Sequence, residues 1–479
     1  MKDESTILSV GIDIGTSTTQ VIFSRLTFKN SAGYFAVPHI AIVDKEVVYK
    51  SDIYMTPLEN RVMIDGKKVR DIVAGEFAKA GYGPADTQTG AVIITGESAR
   101  KENSEIVLRE LSDFAGEFVV STAGPDLEAI IAGKGSGARQ YSVDNQCTVV
   151  NLDIGGGTTN AVLFDSGEVI GKGCLDIGGR LVKIDASGCI EYISDSVKQI
   201  AAAEGISIEI GEEGDYNKLQ RISEAMAKLL QQWLEGDMSS LLRRITTPGS
   251  TEFEYVKPIR AVCFSGGVAD CIYHSPEGPW TKYGDMGIVL GEVIRQSRLF
   301  SDFHVIEAKE TIRATVVGAG SYTTSVSGST ITYNRDVFPL KNIPVLKLTA
   351  QEQEPCFGGA EDELREKLLW MQSQSDSQQL ILAMKGKPDP SYMEVKRLAA
   401  CLVSVLDDVL PEGSPMVVVL ECDMAKALGQ MMMGLETRHP RDVICIDSVQ
   451  VDQNDFVDMG KPLVDGLVIP VVVKTLIFG

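Results

Sequence analysis

The stretch GIDIGTSTTQVIF (residues 11–23) places an aspartate inside an otherwise apolar segment and follows it with a glycine and four hydroxyl side chains. On its own the pattern is typical of a β-hairpin, in which a Gly-Thr-Ser turn has a structural purpose. A second copy, NLDIGGGTTNAVLF (residues 151–164), repeats the Asp-Ile-Gly element, the Thr-Thr element and the apolar run. Such a repeat predicts two related lobes that face each other, with the functional site in the cleft between them.

Composition indicates a soluble globular protein with more than one domain. The chain has 479 residues, which is too long for one core, and its 44% hydrophobic and 23% charged residues are ordinary for a folded protein. A formal charge of −21 argues against nonspecific binding to nucleic acid or to anionic membranes, because both need a basic face. We therefore expect no nucleic-acid partner and no membrane partner.

The chain ends and the cysteines favour a cytoplasmic location. The start, MKDESTILSV, lacks the pattern of a secretory signal, and the apolar run LVIPVVVKTLIFG is too short and interrupted to span a bilayer. The 9 cysteines contain no C-x-x-C pair and the 4 histidines are scattered, so we expect a reducing compartment and no Cys/His zinc site.

Hydrophobic periodicity and turn residues predict an α/β fold in three parts: a first lobe over residues 1–145, a second over 146–330 and a further α/β domain over 331–479. The first lobe has strands joined by a polar excursion, and strands that alternate with helices predict a parallel sheet in the third part. The strands predicted in the lobes are 8–14, 19–23, 91–95, 148–154 and 160–164, and a helix is predicted over 102–114.

Asp13 and Asp153 each precede a glycine turn at the predicted carboxyl end of a strand. An acid in that position can hold the water shell of Mg²⁺, and the glycine lets backbone N–H groups approach phosphate oxygens. Two such hairpins on opposing lobes predict a clamp around a polyphosphate. A Walker A loop is absent from the sequence, and glycines 133, 135 and 137 follow a helical pattern instead of the strand that a dinucleotide fingerprint requires.

A third element, AVCFSGGVAD (residues 261–270), predicts a buried strand that ends in Gly266 and Gly267 and leads into a helix. Glycines at such a turn give a flat surface on which a purine can lie. A tight strand-to-helix turn also requires glycine for structural reasons, so both interpretations stay open.

These three motifs, GIDIGTSTT, NLDIGGGTT and CFSGGVAD, resemble in order the phosphate-1, phosphate-2 and adenosine motifs of the actin, Hsp70 and sugar-kinase ATPase superfamily. TAGPDLEAIIAGKGSGA (residues 122–138) and VVGAGSYTTSVSG (residues 316–328) are similar to its two connecting helices. The resemblance implies two lobes of RNase H-like topology that close over ATP and Mg²⁺ and transmit the nucleotide state as a hinge rotation.

Over essentially its whole length the chain also resembles the reactivating factors of ethanolamine ammonia-lyase. That resemblance implies an ATP-dependent, chaperone-like protein that releases damaged cobalamin from this adenosylcobalamin enzyme, in the cytoplasm or in an ethanolamine-utilisation microcompartment. The implied partners are the lyase and ATP or ADP. Direct cobalamin binding is not expected, because the sequence contains no D-x-H-x-x-G motif.

The superfamily resemblance implies roles for individual residues. Asp13 and Asp153 would organise Mg²⁺ and its waters. The β-phosphate would meet Gly15, Thr16, Ser17 and Thr18, the γ-phosphate would meet Gly155, Gly156, Gly157 and Thr158, and the nucleoside would pack on Gly266 and Gly267.

One position departs from the pattern of Hsp70-type chaperones. They place a glutamate before the proline of the first connecting helix, whereas this chain has Gly124 before Pro125. Glu128 and Glu97 are the candidates to orient the attacking water, although each is also compatible with a solvated helix or loop acid. Slow hydrolysis is therefore expected.

Two other classes of protein stay open at this stage. A small-molecule kinase of the same superfamily would need an acidic base facing an acceptor hydroxyl, and no sugar-binding cluster is evident. ADP formation that depends on one metabolite would identify that class. An actin-like, filament-forming ATPase would instead give nucleotide-dependent polymers in light scattering.

Overall fold

The computed structural model describes residues 4–15, 18–30, 40–60, 63–95, 98, 102–112, 125–250, 258–322, 325–327, 331–334, 337–374, 379–435, 437, 441–453, 455–462, 466 and 468–475. These residues form three large β-sheets, each covered by helices, and one small two-stranded sheet. No helix within them is long and apolar enough to cross a lipid bilayer.

The first sheet contains the first acidic hairpin. Its strands are β1 (Glu4–Ile14), β2 (Thr18–Asn30), β3 (Ile40–Lys50), β4 (Tyr54–Met55) and β5 (Thr89–Ile94). The order is β3-β2-β1-β5, in which β3, β2 and β1 are antiparallel, β5 is parallel to β1 and β4 pairs with β2. Helices α1 (Gly66–Ala80) and α2 (Ser104–Ser112) and a 3₁₀ turn (Pro84–Asp86) complete this region.

Helices α3 (Pro125–Gly135) and α4 (Ala138–Asp144) lead from the first sheet to the second. The second sheet contains β6 (Thr148–Ile154), β7 (Thr159–Asp165), β8 (Glu168–Leu175), β11 (Ala261–Ser265) and β12 (His304–Ile306); β9 (Val182–Ile184) and β10 (Ile190–Ile193) form the small sheet. Its order is β12-β11-β6-β7-β8, with β8, β7 and β6 antiparallel and β11 and β12 parallel to β6. Four strands of the first sheet, β3-β2-β1-β5, correspond to β8-β7-β6-β11 here, and among the described residues no strand pairs with β5 as β12 pairs with β11.

Helices that pack on or beside the second sheet are α5 (Asp195–Ala203), α6 (Tyr216–Leu234), α7 (Ser240–Arg244), α8 (Ala269–Tyr273), α9 (Gly287–Gln296) and α10 (Arg298–Ser301). The longest, α6, buries an apolar stripe that includes Met226 and Trp233 and ends at Leu234. Asp215 caps its first turn by accepting hydrogen bonds from two main-chain N–H groups.

Helix α3 and a later helix, α11 (Ala314–Tyr322), cross between the first two sheets. α3 packs on β6, β7 and β8, whereas α11 packs on β1 and β2. Their crossing is so close that a methyl group on Gly135 would lie 1.9 Å from the carbonyl oxygen of Ala314, and one on Gly318 would lie 2.1 Å from that of Ile131. Gly135 and Gly318 therefore allow this close packing of the two helices.

The third sheet combines parallel and antiparallel strands. It contains β13 (Ser325–Val326), β14 (Thr332–Tyr333), β15 (Leu340–Leu348), β16 (Ile381–Met384), β17 (Met416–Leu420), β18 (Val443–Ile446), β19 (Asp455–Met459) and β20 (Pro470–Thr475). Its helices are α12 (Ala350–Gly358), α13 (Asp362–Gln374), α14 (Tyr392–Val409) and α15 (Ala425–Met433). The prediction of a parallel sheet is right for β15 to β18 and wrong for the flanking strands, which pair antiparallel.

The polar excursion predicted in the first lobe is also wrong, because it contains β3, β4 and α1. The buried face of α1 contains Val69, Val73 and Phe77, spaced four residues apart, and charged residues lie between them in the sequence. The helix predicted over residues 102–114 is confirmed as α2 within the described residues. The predicted strands of the two acidic hairpins are confirmed as well.

Candidate functional site

The two Asp-Ile-Gly segments are structural as well as sequence repeats. Asp13 pairs across its hairpin with Gln20, and Asp153 pairs with Asn160 at the equivalent position. In each hairpin the glycine N–H closes the turn by donating to a threonine carbonyl, over 2.8 Å in the first and 2.9 Å in the second. The parallel neighbours β5 and β11 place both aspartates at the carboxyl edge of a sheet, which is where α/β proteins bind ligands.

Both hairpins line one cavity of about 460 Å³ between the first two sheets. Every described residue that the sequence assigned to the site lies on its wall: Asp13, Gly15, Thr18, Glu128, Asp153, Gly155, Gly156, Gly157, Thr158, Gly266 and Gly267. The remaining candidates, Thr16, Ser17 and Glu97, lie outside the described residues. Their roles, like those of the residues on the wall, stay predictions.

The carboxyl group of Asp13 is 7% exposed and accepts a hydrogen bond of 3.2 Å from Thr95 Oγ1. The pKa of Asp13 is raised to about 7, mainly by burial; the hydrogen bond from Thr95 opposes this rise and the charge of Asp153 adds to it. The two acids of the sequence repeat are therefore close enough to repel each other. A divalent cation between them would remove that repulsion.

Asp153 has a stronger hydrogen-bond donor beside it. Ser265 Oγ donates to Asp153 Oδ1 over 2.6 Å and accepts from Asn151 Nδ2 over 2.9 Å. Burial raises the pKa of Asp153 to about 6, with the hydrogen bond from Ser265 acting in the opposite direction. Within the described residues no group of three or more His, Cys, Asp or Glu side chains is arranged to hold a metal ion. A magnesium ion at this pair would accordingly keep most of its water ligands.

The loops after the two aspartates are supported by different groups. The Gly15 carbonyl accepts hydrogen bonds from two side chains, Thr56 Oγ1 at 2.8 Å and Ser98 Oγ at 3.0 Å. The carbonyls of Gly155 and Gly156 instead accept from the main-chain N–H groups of the residues at 179 and 180, at 2.9 and 2.7 Å.

The two glycines of the adenosine-like motif differ: the turn geometry requires Gly266, whereas Gly267 leaves space on the cavity wall. Gly266 has φ 87° and a methyl group there would lie 2.4 Å from the carbonyl oxygen of Ile154, so the turn itself requires glycine. Gly267 has ordinary φ, and the nearest atom to a methyl group on it would be Ile312 Cδ1 at 3.9 Å. Gly267 therefore leaves an open surface on the cavity wall.

Glu128 lies in the first turn of α3, is buried and lines the cavity. An acid on the wall of a phosphate site satisfies the positional requirement for a group that orients water. Its assignment as that group stays a prediction.

Sequence reasoning missed several parts of the wall, among them the segment after β8. Gly179 and Arg180 line the cavity together with Asp285, and Arg180 Nε lies 3.4 Å from Asp285 Oδ2. A methyl group on Gly178 would lie 2.5 Å from the Gly156 carbonyl oxygen, so this segment packs directly behind the second loop. The glycine pair at 178 and 179, which follows a strand as Gly266 and Gly267 do, was the available signal.

Two sheets that share an order of four strands, β3-β2-β1-β5 and β8-β7-β6-β11, face each other across a cavity lined by paired Asp-Ile-Gly hairpins, and two crossing helices join them. This arrangement defines an RNase H-like fold of the actin and Hsp70 type. The chain belongs to the ethanolamine utilisation protein EutA family, whose sequence model matches residues 5–479.

Relatives of known name match over nearly the whole chain. It is 34% identical over 477 residues to the ethanolamine ammonia-lyase reactivase EutA of Salmonella typhimurium, with 98% of each chain covered. It is 34% identical over 478 residues to the protein of the same name from Escherichia coli K12, again with 98% of each covered.

Among solved structures, an Aquifex aeolicus PPX-GPPA enzyme matches with 13% identity and a TM-score of 0.40, covering 66% of this chain and 99% of that one. The ethanolamine utilisation protein EutJ of Carboxydothermus hydrogenoformans matches with 16% identity and a TM-score of 0.30, covering 65% of this chain and 89% of that one.

Proposed function

We propose that this protein binds Mg²⁺-ATP in the cavity between its first two sheets and uses it to reactivate an adenosylcobalamin-dependent ethanolamine ammonia-lyase. The proposal of nucleotide binding rests on one observation: the two acidic hairpins, which have the same strand register, line the same cavity. The choice of the lyase as partner is supported by the name of the relatives that match 98% of the chain.

The described residues fit this ligand chemically. Asp13 and Asp153 offer two carboxylates to Mg²⁺ or its water shell, and burial raises the pKa of both groups, so a cation beside them would favour their charged forms. Gly155, Gly156 and Gly157 leave backbone groups accessible to phosphate oxygens, and Gly267 offers a flat surface to the nucleoside. When bound, Mg²⁺ would neutralise phosphate charge and orient the polyphosphate.

Reactivation requires a damaged, tightly held cobalamin to leave the lyase so that intact adenosylcobalamin can enter. A partner that binds the open form of the lyase more tightly than the closed form shifts its population by that difference in affinity. In the proposed cycle ATP resets this protein so that it lets go of the lyase. The crossing of α3 and α11 would be the hinge that couples the cavity to this change.

We assign recognition of the lyase to the C-terminal part of the chain, residues 331–479, because every described residue on the cavity wall lies before it in the sequence. The protein would work wherever the lyase is held, in the cytoplasm or in a microcompartment.

The test uses ethanolamine ammonia-lyase inactivated by bound cyanocobalamin and incubated with this protein, Mg²⁺-ATP and free adenosylcobalamin. Deamination of ethanolamine is followed for the wild type, for Asp153→Ala and for Asp195→Ala. Asp195 is a matched control because its side chain is 90% exposed and pairs with Lys198 away from the cavity. We expect activity to return with the wild type and the control and to stay absent with Asp153→Ala.

Omitting ATP should prevent recovery in every sample. If ATP is hydrolysed but the lyase stays inactive, the assignment of the lyase as partner is wrong and small-molecule acceptors become the substrates to screen. If Asp153→Ala reactivates as well as the wild type, the paired hairpins do not form the working site.

A further inference from the structure

The charges on the cavity wall are strongly unbalanced. The acids that line it are Asp13, Glu128, Asp153, Asp270 and Asp285. Among the lining residues that the structure describes, Arg180 is the only lysine or arginine. A polyphosphate brings further negative charge, so apart from Mg²⁺ the described wall offers it one cationic side chain.

The backbone of Arg180 is fixed beside the second hairpin loop. Its N–H donates to the Gly156 carbonyl over 2.7 Å, and the preceding N–H of Gly179 donates to the Gly155 carbonyl over 2.9 Å. Gly156 belongs to the segment that the superfamily resemblance assigns to the γ-phosphate. The side chain of Arg180 lines the cavity and is 27% exposed.

The guanidinium group is only loosely engaged. The distance of 3.4 Å from Nε to Asp285 Oδ2 exceeds the ~2.7–2.9 Å of a strong charge-assisted hydrogen bond, and Nε is buried with no hydrogen-bond partner among the described atoms. Asp285 uses its other oxygen, Oδ1, to accept from the Gly287 N–H over 2.9 Å. The carboxylate is thereby held in place, and the arginine keeps donors that are not used.

We propose that Arg180 binds the terminal phosphate of the nucleotide. In doing so its guanidinium group leaves the weak ion pair with Asp285 and makes a bidentate contact with two phosphate oxygens. This contact distinguishes a nucleoside triphosphate from a diphosphate. The planar guanidinium matches two phosphate oxygens at once, which a lysine cannot do. This inference rests on the proposed nucleotide site. A purely structural role, in which Arg180 only ties the segment after β8 to the start of α9, makes a different prediction.

The test is titration calorimetry on the full chain with Mg²⁺ and either ADP or the non-hydrolysable imido analogue of ATP. Arg180→Gln should weaken binding of the triphosphate analogue by about tenfold or more and binding of ADP by less than about threefold. Arg180→Lys should give a smaller loss for the triphosphate. Arg244→Gln is the matched control, because that exposed arginine of the same region bonds to Gln199 and does not line the cavity.

Asp285→Asn tests independently whether Arg180 leaves Asp285 to bind the terminal phosphate. Removing the competing negative charge should tighten binding of the triphosphate analogue by a few-fold, and the gain should vanish in the double variant with Arg180→Gln. A purely structural pair would instead lower the melting temperature of the nucleotide-free protein in both variants and weaken both nucleotides alike.

The failures of the two proposals are distinguishable. If the wild type binds neither nucleotide, the nucleotide site itself is wrong. If the wild type binds both and Arg180→Gln weakens both equally, or neither, the nucleotide site stands and the assignment of Arg180 to the terminal phosphate is overturned.

Discussion

In the first acidic hairpin the carbonyl after the aspartate is held by the hydroxyl groups of Thr56 and Ser98, whereas in the second hairpin the equivalent carbonyls are held by main-chain N–H groups. The register of the two hairpins is the same, so the difference lies in the support and not in the turn. Main-chain support cannot be removed by truncating a side chain. It can be broken only by forcing the two backbone segments apart.

The same contrast extends to the aspartates. Asp153 has the closer donor, Ser265 Oγ at 2.6 Å, and its pKa rises to about 6, while Asp13 has Thr95 Oγ1 at 3.2 Å and a pKa of about 7. The aspartate of the second hairpin is thus held in place by a closer hydrogen bond than that of the first hairpin, and its loop carbonyls are held by main-chain groups. We expect the first hairpin to be the half that adjusts when a ligand binds.

Gly178→Ala should have the largest effect on the support of the second hairpin. Its methyl group would lie 2.5 Å from the Gly156 carbonyl oxygen and would push the segment after β8 away from the second loop. We expect a loss of about 2–4 kcal/mol in the free energy of unfolding, measured with urea. Gly157→Ala is the control within the loop, since no atom lies within 4 Å of its added methyl group, and it should cost less than about 0.5 kcal/mol. Equal losses would contradict the backbone support described for this loop.

Replacing each aspartate by asparagine compares the electrostatics of the two hairpins. The pKa of each carboxyl is higher in the folded than in the unfolded protein, so the wild type loses stability as the pH rises from about 4 to about 7 for Asp13 and to about 6 for Asp153. At pH 8 without nucleotide, Asp13→Asn should therefore be more stable than the wild type by about 2–4 kcal/mol, and Asp153→Asn by about 1 kcal/mol less.

Urea unfolding at pH 4 and pH 8 checks this expectation, and the advantage of both variants should shrink towards the lower pH. Both should also lose the stabilisation that Mg²⁺-ATP gives to the wild type. If either variant is less stable than the wild type at pH 8, the buried charged carboxylate does not lower the free energy of unfolding of the wild type.

The smallest expected effects come from the donors to the two aspartates. Ser265→Ala should cost about 1–2 kcal/mol, because it removes the 2.6 Å bond to Asp153 and also the acceptor of Asn151. Thr95→Val removes one longer bond to Asp13 and should cost about 0.5 kcal/mol. Thermal or urea unfolding at pH 8 measures both, and the reverse order would remove the distinction between a firmly held and a loosely held hairpin.

The sequence predicted the parts of the fold that are local or repeated. The two hairpins were found because the same letters recur, and every described candidate among them lines the cavity. α1 was missed because its single buried stripe is hidden among lysines and acids. Arg180 and Asp285 were missed for another reason: they meet only when the segment after β8 packs against the start of α9, a contact between residues more than 100 positions apart.

The glycine crossing of α3 and α11 has a mechanical consequence. At Gly135 and Gly318 the backbones of the two helices are in direct contact, so a displacement of one helix at these positions must move the backbone of the other. We therefore expect a rotation of one helix to rotate the other as well. α11 ends at Tyr322 and β13 begins at Ser325 on the edge of the third sheet, paired with β20. We therefore expect a movement of the two crossing helices beside the cavity to reach the edge of the C-terminal sheet.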